Sequence, residues 1–107
     1  MVMRRFDVFR NASPRSSRTI PYLVLVQSEL LDELPTQVVV PLVKGAALGG
    51  RAAARLNPSF DIEGEAVFLL TQQMGAVPTS SLTHRVASLE QSRDVIVAAV
   101  DFLFSGI

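Results

Sequence analysis

The sequence predicts a small, mainly β domain with one C-terminal helix. Short apolar runs recur between turn residues along most of the chain. Residues 88–107 form the one segment long and periodic enough to read as a helix. No internal repeat is visible, so the elements belong to a single unit, an antiparallel barrel or sandwich with the helix as its lid.

The strands come first. Residues 4–10 alternate apolar and charged side chains from Phe6 onward, which suits a half-buried strand. Residues 11–18 mix serines and arginines with Pro14 and read as a mobile loop. Residues 22–26, Tyr-Leu-Val-Leu-Val, are continuously β-favouring, so both faces of that strand should be covered. Residues 27–35 make a loop carrying Leu30 and Leu31 among acids. Residues 38–42 are a third strand, whose Pro41 marks an edge, a bulge or a strand end.

Residues 45–56 are rich in alanine and glycine, enough for one or two helical turns, while Gly49 and Gly50 oppose a continuous helix. These glycines do not cradle phosphate: Lys44 precedes them and no G-x-x-x-x-G-K-S/T pattern exists. Residues 60–62 and 66–71 flank Glu63, Gly64 and Glu65, a hairpin signal. Residues 75–78 form a turn or short crossing, and residues 80–87 a last short strand.

In the helix, Ser88 with Gln91 three positions on predicts a capping box. Asp94, Val97, Asp101, Phe104 and Ser105 step by three or four and share one face. Ile96, Ala99, Val100 and Leu103 share the opposite, core-facing one. An apolar end, Gly106-Ile107, is unexpected where chains usually fray. Either something packs there or the tail is itself a contact.

The chain has 107 residues, 49% of them hydrophobic, which suits one domain over residues 1–107 with a substantial core. Cysteine is absent, which excludes disulfides, thiolate metal sites and a cysteine nucleophile. No apolar run reaches the length of a membrane span, and residues 1–5 lack the apolar core of a signal peptide, so the cytoplasm is the expected location. Net charge is zero, but Arg4, Arg5, Arg10, Arg15 and Arg18 against Asp7 leave the first eighteen residues at +4 and the rest at −4. A basic arm over nucleic-acid phosphates is one reading. A solvated edge strand and loop is the favoured one, because no aromatics accompany the arginines after Phe9.

Catalytic chemistry finds no local support. His84, the single histidine, is flanked by Thr83 and Arg85 and reads as solvated. Asp61, Glu63 and Glu65 lack a calcium-loop pattern. No serine sits in a G-x-S-x-G context. The expectation is a binding protein, not an enzyme, with no cofactor and no metal.

Four stretches together resemble one family. Residues 26–32, V-Q-S-E-L-L-D, resemble the V-Q-S-D-I-I-D of the CcdB toxins, and residues 38–42 resemble their M-V-I-P-L at the matching distance. Residues 74–78 resemble M-A-S-V-P, and residues 104–107, F-S-G-I, resemble the terminal F-W-G-I. The similarity runs from about Phe6 to Ile107, with a longer first loop here.

This resemblance implies an SH3-like antiparallel barrel with a C-terminal α-helix, found as a homodimer in the bacterial cytoplasm. It implies a plasmid-maintenance type of toxin that binds the A subunit of DNA gyrase and traps the enzyme on cleaved DNA. A CcdA-like antitoxin would neutralise it, and DNA would be met only through antitoxin or gyrase complexes. Carried over residue by residue, the gyrase face is Asp94, Val97, Ala98, Asp101, Phe104, Ser105, Gly106 and Ile107, flanked by Ser28, Leu30 and Leu31. One departure stands out: the family's tryptophan is Ser105. The alternatives are a binding protein that keeps antitoxin recognition without poisoning gyrase, and a MazF-like ribonuclease on the same barrel using Arg10 or Arg18.

Overall fold

The computed structural model describes residues 3–48 and 53–106. Among these, seven strands and one α-helix follow in order: β1 Asp7–Arg10, β2 Tyr22–Leu25, β3 Thr36–Lys44, β4 Ser59–Ile62, β5 Glu65–Leu69, β6 Gly75–Pro78, β7 Arg85–Ser88 and α1 Arg93–Ser105. The strands make one strongly curled, half-barrel sheet in the order β4-β5-β3-β2-β1-β7, with β6 added to β3. Every pairing is antiparallel. The expected mainly β architecture with a C-terminal helix is what the chain adopts. No helix among the described residues is long and apolar enough to cross a membrane.

The continuous apolar run of β2 is explained by the two cores it separates. Val8, Val24 and Val40 are cross-strand partners in one row, and they join Tyr22, Leu42, Val67, Leu69, Ile96 and Ala99 in the larger core under α1. The alternate residues Phe9, Leu25 and Val39 point the other way, into a smaller core closed by Leu82. A strand buried on both faces has no polar positions to alternate.

Three expectations need correcting. First, β1 is not half-buried: Asp7 is as inaccessible as its apolar neighbours. Its carboxylate accepts a 2.9 Å hydrogen bond from the Arg4 backbone N–H, and Arg85 lies against it. Second, Pro41 marks no edge or strand end; it sits inside the nine-residue β3. There β3 changes partner on one side, from β6 over Thr36–Val39 to β5 over Leu42–Lys44. An extended residue projects its N and its C=O to the same side, and the Pro41 carbonyl accepts from Leu70 N on that side. The missing proline N–H therefore falls in the gap between two ladders, where it costs no pairing.

Third, the capping box does not form. Ser88 Oγ accepts from the Glu90 amide two residues on at 3.2 Å, a local turn that leads into a 3₁₀ turn over Glu90–Ser92 and caps neither that turn nor the α-helix. The α-helix itself begins only at Arg93, without a side-chain cap. Residues 75–78, expected as a turn or short crossing, are strand β6, and the last strand, expected over residues 80–87, spans Arg85–Ser88. Residues 11–20 are stitched by Asn11, whose amide donates to Ser16 Oγ and the Ile20 carbonyl. The expected helical turns after Lys44 begin as a 3₁₀ turn over Gly45–Leu48; Gly49 and Gly50 lie outside the described residues.

The β4–β5 hairpin expected around Glu63, Gly64 and Glu65 forms, with its turn confined to Glu63-Gly64 and Glu65 already in β5. Both central residues have positive φ, 52° and 81°, the backbone a two-residue hairpin turn of the right twist demands. Glutamate is a strained choice for the first of them. Its carboxylate Oε1 accepts from Tyr22 Oη at 2.9 Å and from Arg10 Nη2 at 3.0 Å, which ties the hairpin to β1 and β2. The Tyr22 hydrogen bond, opposed by desolvation and aided by Arg10, holds the Glu63 carboxyl below its ordinary range. A lowered folded pKa stabilises above the ordinary carboxylate pKa, and that contribution is lost as pH falls through the folded value. Urea midpoints measured across the acid range should therefore fall less steeply for Glu63→Gln than for the parent chain. Identical acid slopes would exclude this contribution.

Candidate functional site

The helix is held by few residues. Ile96 and Ala99 are its fully buried positions, Val100 and Leu103 are half-buried behind them, and the Arg55 guanidinium covers the Phe102 ring at 4.4 Å. The opposite face is left outward. Asp94, Ala98 and Asp101 are exposed and Val97 is half-buried. These four form one wall of a groove of about 600 Å³.

The other wall comes from distant sequence. Arg5 and Phe6 enter from the turn before β1 and Ser28 and Glu29 from the loop after β2, while Glu90, in the 3₁₀ turn before α1, and Arg93, its first residue, close the end between the walls. Phe6 is fixed there at φ 74°, a left-handed backbone rare for a bulky residue. Its N–H donates to the Leu25 carbonyl at 2.6 Å, its carbonyl accepts from Leu89 N at 2.8 Å, and its ring is buried in the larger core. Surroundings of this kind determine a strained residue from several sides at once. Arg5 donates from Nε to the Val26 carbonyl at 2.9 Å, and its guanidinium lies 4.7 Å from the Phe6 ring centre.

The loop beside the groove is equally well fixed. Gln27 accepts from Val38 N at 2.9 Å and donates to the Leu31 carbonyl at 3.0 Å. The buried Gln37 donates toward the Leu31, Asp32 and Leu34 carbonyls. Ser28 Oγ accepts from Leu30 N and caps the 3₁₀ turn Glu29–Leu31. The result is a rigid loop that holds Leu30 outward at 93% exposure, with Leu31 and Leu34 half in solvent. One buried and one half-buried amide side chain, Gln37 and Gln27, hold the loop that presents these leucines to solvent.

At the helix end Phe104 is 74% exposed. Ser105 is exposed, and its Oγ donates back to the Asp101 carbonyl at 2.6 Å, so the hydroxyl hydrogen is used within the helix while the oxygen can still accept. Gly106, at φ 73°, is the left-handed residue that ends the helix, and its N–H donates to the Phe102 carbonyl. Ile107 lies outside the described residues.

Of the residues singled out in the sequence, Ser28, Asp94, Val97, Ala98 and Asp101 line one groove. Leu30 and Leu31 stand on the same loop as Ser28, outside it. Phe104, Ser105 and Gly106 continue the exposed helix beyond it. Arg5, Phe6, Glu29, Glu90 and Arg93 also line the groove, and the sequence does not assign them to this face. Glu90 and Arg93 had a signal, their closeness to Asp94 along the helix start. Arg5 and Phe6 had none, since a strand-like pattern gives no hint of a left-handed turn. No cluster of three or more histidine, aspartate or glutamate side chains that could hold a metal ion occurs among the described residues.

A family model described as CcdB protein matches residues 5–106. Among solved structures, the chain is similar to one titled an endoribonuclease from mycobacterial species, with a TM-score of 0.69 and 12% sequence identity. That likeness covers 94% of this chain and 89% of the other. At such low identity it speaks for the shared fold alone.

Proposed function

Because this chain belongs to the CcdB family, whose members support a toxin-type role, we propose that it is the toxin of a toxin–antitoxin pair directed at DNA gyrase. In this reading a dimer binds the A subunit of gyrase in the cytoplasm and holds the enzyme on cleaved DNA, a CcdA-like antitoxin removes it, and no bond is made or broken by the toxin itself. The observation that carries it is the outward face of α1, where Asp94, Val97, Ala98 and Asp101 line a groove and Phe104 stands free beyond them.

The experiment is a gyrase supercoiling and DNA-cleavage assay with the full chain, a chain lacking residues 105–107, and Ser105→Trp. The full chain should stabilise cleaved DNA and the truncated one should not, while circular dichroism shows both folded. An aromatic anchor at an interface is worth about 2 kcal/mol or more, so Ser105→Trp should act at concentrations about 30-fold lower. No cleaved complex with any of the three would overturn the reading.

Two observations favour other readings. Ser105 where the family has tryptophan favours a protein that binds the antitoxin without poisoning gyrase; retained antitoxin binding with no gyrase effect would establish it. Convergence of Arg10 and Tyr22 on one carboxylate oxygen of Glu63, on a fold shared with a protein titled an endoribonuclease, favours RNA cleavage. Cleavage of single-stranded RNA that is lost in Glu63→Gln would establish that one.

A further inference from the structure

The C-terminal half of α1 is held from outside the core. The two fully buried residues of the helix, Ile96 and Ala99, both precede Val100. Beyond them Val100, Phe102 and Leu103 are only half-buried, and Phe104, Ser105 and Gly106 are exposed. The last turn carries no basic side chain of its own to meet the partial negative charge at the helix end, and Asp101 adds a carboxylate beside it. Local chemistry alone would let this half fray.

The missing cation comes from a distant turn. The Arg55 guanidinium lies 4.4 Å from the centre of the Phe102 ring, in the last turn of α1. The backbone that carries it is fastened at several points. Asn57 N donates to the Ala53 carbonyl at 2.6 Å, and Ala53 N donates to Asn57 Oδ1 at 3.2 Å, which closes residues 53–57 on themselves. The Asn57 side chain, in a residue only 3% exposed, donates from Nδ2 to the Leu69 carbonyl at 2.9 Å and to Gln72 Oε1 at 2.8 Å. The buried Thr71 hydroxyl donates to the Leu56 carbonyl. The turn is thereby fixed to the end of β5 and to the 3₁₀ turn Thr71–Gln73, which itself lies against α1. An exposed arginine is ordinarily free to move in solvent, but this one starts from a backbone pinned beside the helix it covers.

We propose that Arg55 is a positioning residue for the C-terminal end of α1: its charge, seated on Phe102, keeps the last turn helical and so sets where Phe104, Ser105 and Gly106 point. Attraction to the ring face and to the helix end both depend on that charge. The consequence for binding rests on the reading of this helix as the gyrase-binding element, and adds to it a residue that lies outside the groove.

The test compares the parent chain with Arg55→Lys, which keeps the charge, Arg55→Gln, which removes it, Phe102→Leu, which removes the ring, and the double variant Arg55→Gln/Phe102→Leu. Residue-resolved amide exchange is read along α1 and β2, and binding is measured to the purified A subunit of gyrase. In Arg55→Gln the amides of residues 102–106 should exchange about two- to fivefold faster, the range for an exposed contact of this kind, while those of Ile96–Ala99 and of β2 are unchanged. Binding to the A subunit should weaken by a similar factor. Arg55→Lys should restore most of both, and Arg55→Gln should add little once the ring is gone. Unchanged exchange of the last turn in Arg55→Gln would overturn the proposal and leave the gyrase reading standing. Faster exchange with undiminished binding would overturn the positioning role. An equal effect of Arg55→Gln with and without the ring, or no recovery in Arg55→Lys, would overturn the assignment of that role to charge on Phe102. Absence of binding by the parent would overturn the gyrase reading, and the exchange rates would still decide whether Arg55 orders the helix end.

Discussion

An Ile96→Ala protein is expected to lose about 2–5 kcal/mol of folding stability, the range for truncating a fully buried aliphatic side chain. Ile96 is completely inaccessible, and Ala99 is the only other fully buried residue of α1. The helix has 13 residues, a length at which an isolated helix is marginal in water, so its order comes from the face it buries. That face belongs to one buried cluster with Val8, Val24, Val40 and Leu69, and the sheet residues stay in place when the isoleucine is cut back, which leaves a cavity. Urea unfolding should show a lower midpoint with an unchanged slope. Amide exchange should show α1 losing protection more than β2 and β3, because a helix held by two buried residues opens locally before the sheet does. Val95→Ala, on a half-exposed position of the same helix, should cost well under half as much. A cost below about 1 kcal/mol for Ile96→Ala would mean that the helix is not docked through this residue.

The functional corollary follows from the same geometry. Asp94, Val97, Ala98 and Asp101 form a groove only while α1 lies against the turn at Arg5-Phe6 and the loop at Ser28-Glu29. Under the proposed function, Ile96→Ala should weaken gyrase trapping although it touches none of the outward residues.

The elements that could be read from the sequence are those written in local chemistry. Glu63-Gly64 between two apolar runs specifies a two-residue hairpin, and the steps of three and four from Asp94 to Phe104 separate a core stripe from a free face. The run from Tyr22 to Leu25 announces burial on both sides. What could not be read depends on partners far along the chain. Pro41 is tolerated because β3 exchanges β6 for β5 at that point, which no window around the proline reveals. Ser88 has the spacing of a capping box, yet its strand pairs with β1 and the helix starts five residues later. Half of the groove was legible for the same reason: its helix wall is periodic, whereas its other wall is a left-handed turn at Phe6 fixed by contacts to Leu25 and Leu89.

Arg85→Ala is expected to destabilise the protein by about 2–3 kcal/mol, somewhat below the cost of removing one partner from a fully buried pair because Arg85 is itself half in solvent. Asp7 is 1% exposed, and its Oδ2 is satisfied by the Arg4 amide. Its Oδ1 makes no aligned hydrogen bond, although Arg85 Nε stands 3.0 Å away, so the arginine acts there chiefly by its charge. Removing Arg85 leaves an uncompensated buried carboxylate. Removing the charge from the other side does not have the mirror effect: in Asp7→Asn the amide oxygen can still accept from Arg4, and the freed guanidinium turns to water. The single aspartate variant should therefore cost about 1 kcal/mol, clearly less than Arg85→Ala. The double variant Asp7→Asn/Arg85→Ala should be more stable than Arg85→Ala alone, a coupling that a double-mutant cycle reads directly. Equal costs for the two single variants would mean that the Asp7 carboxylate reaches water once Arg85 is gone. That outcome would also loosen the turn from Arg4 to Asp7, which places Arg5 and Phe6 in the groove, whereas the expected asymmetry leaves the groove's fixed wall intact in Asp7→Asn and strained in Arg85→Ala.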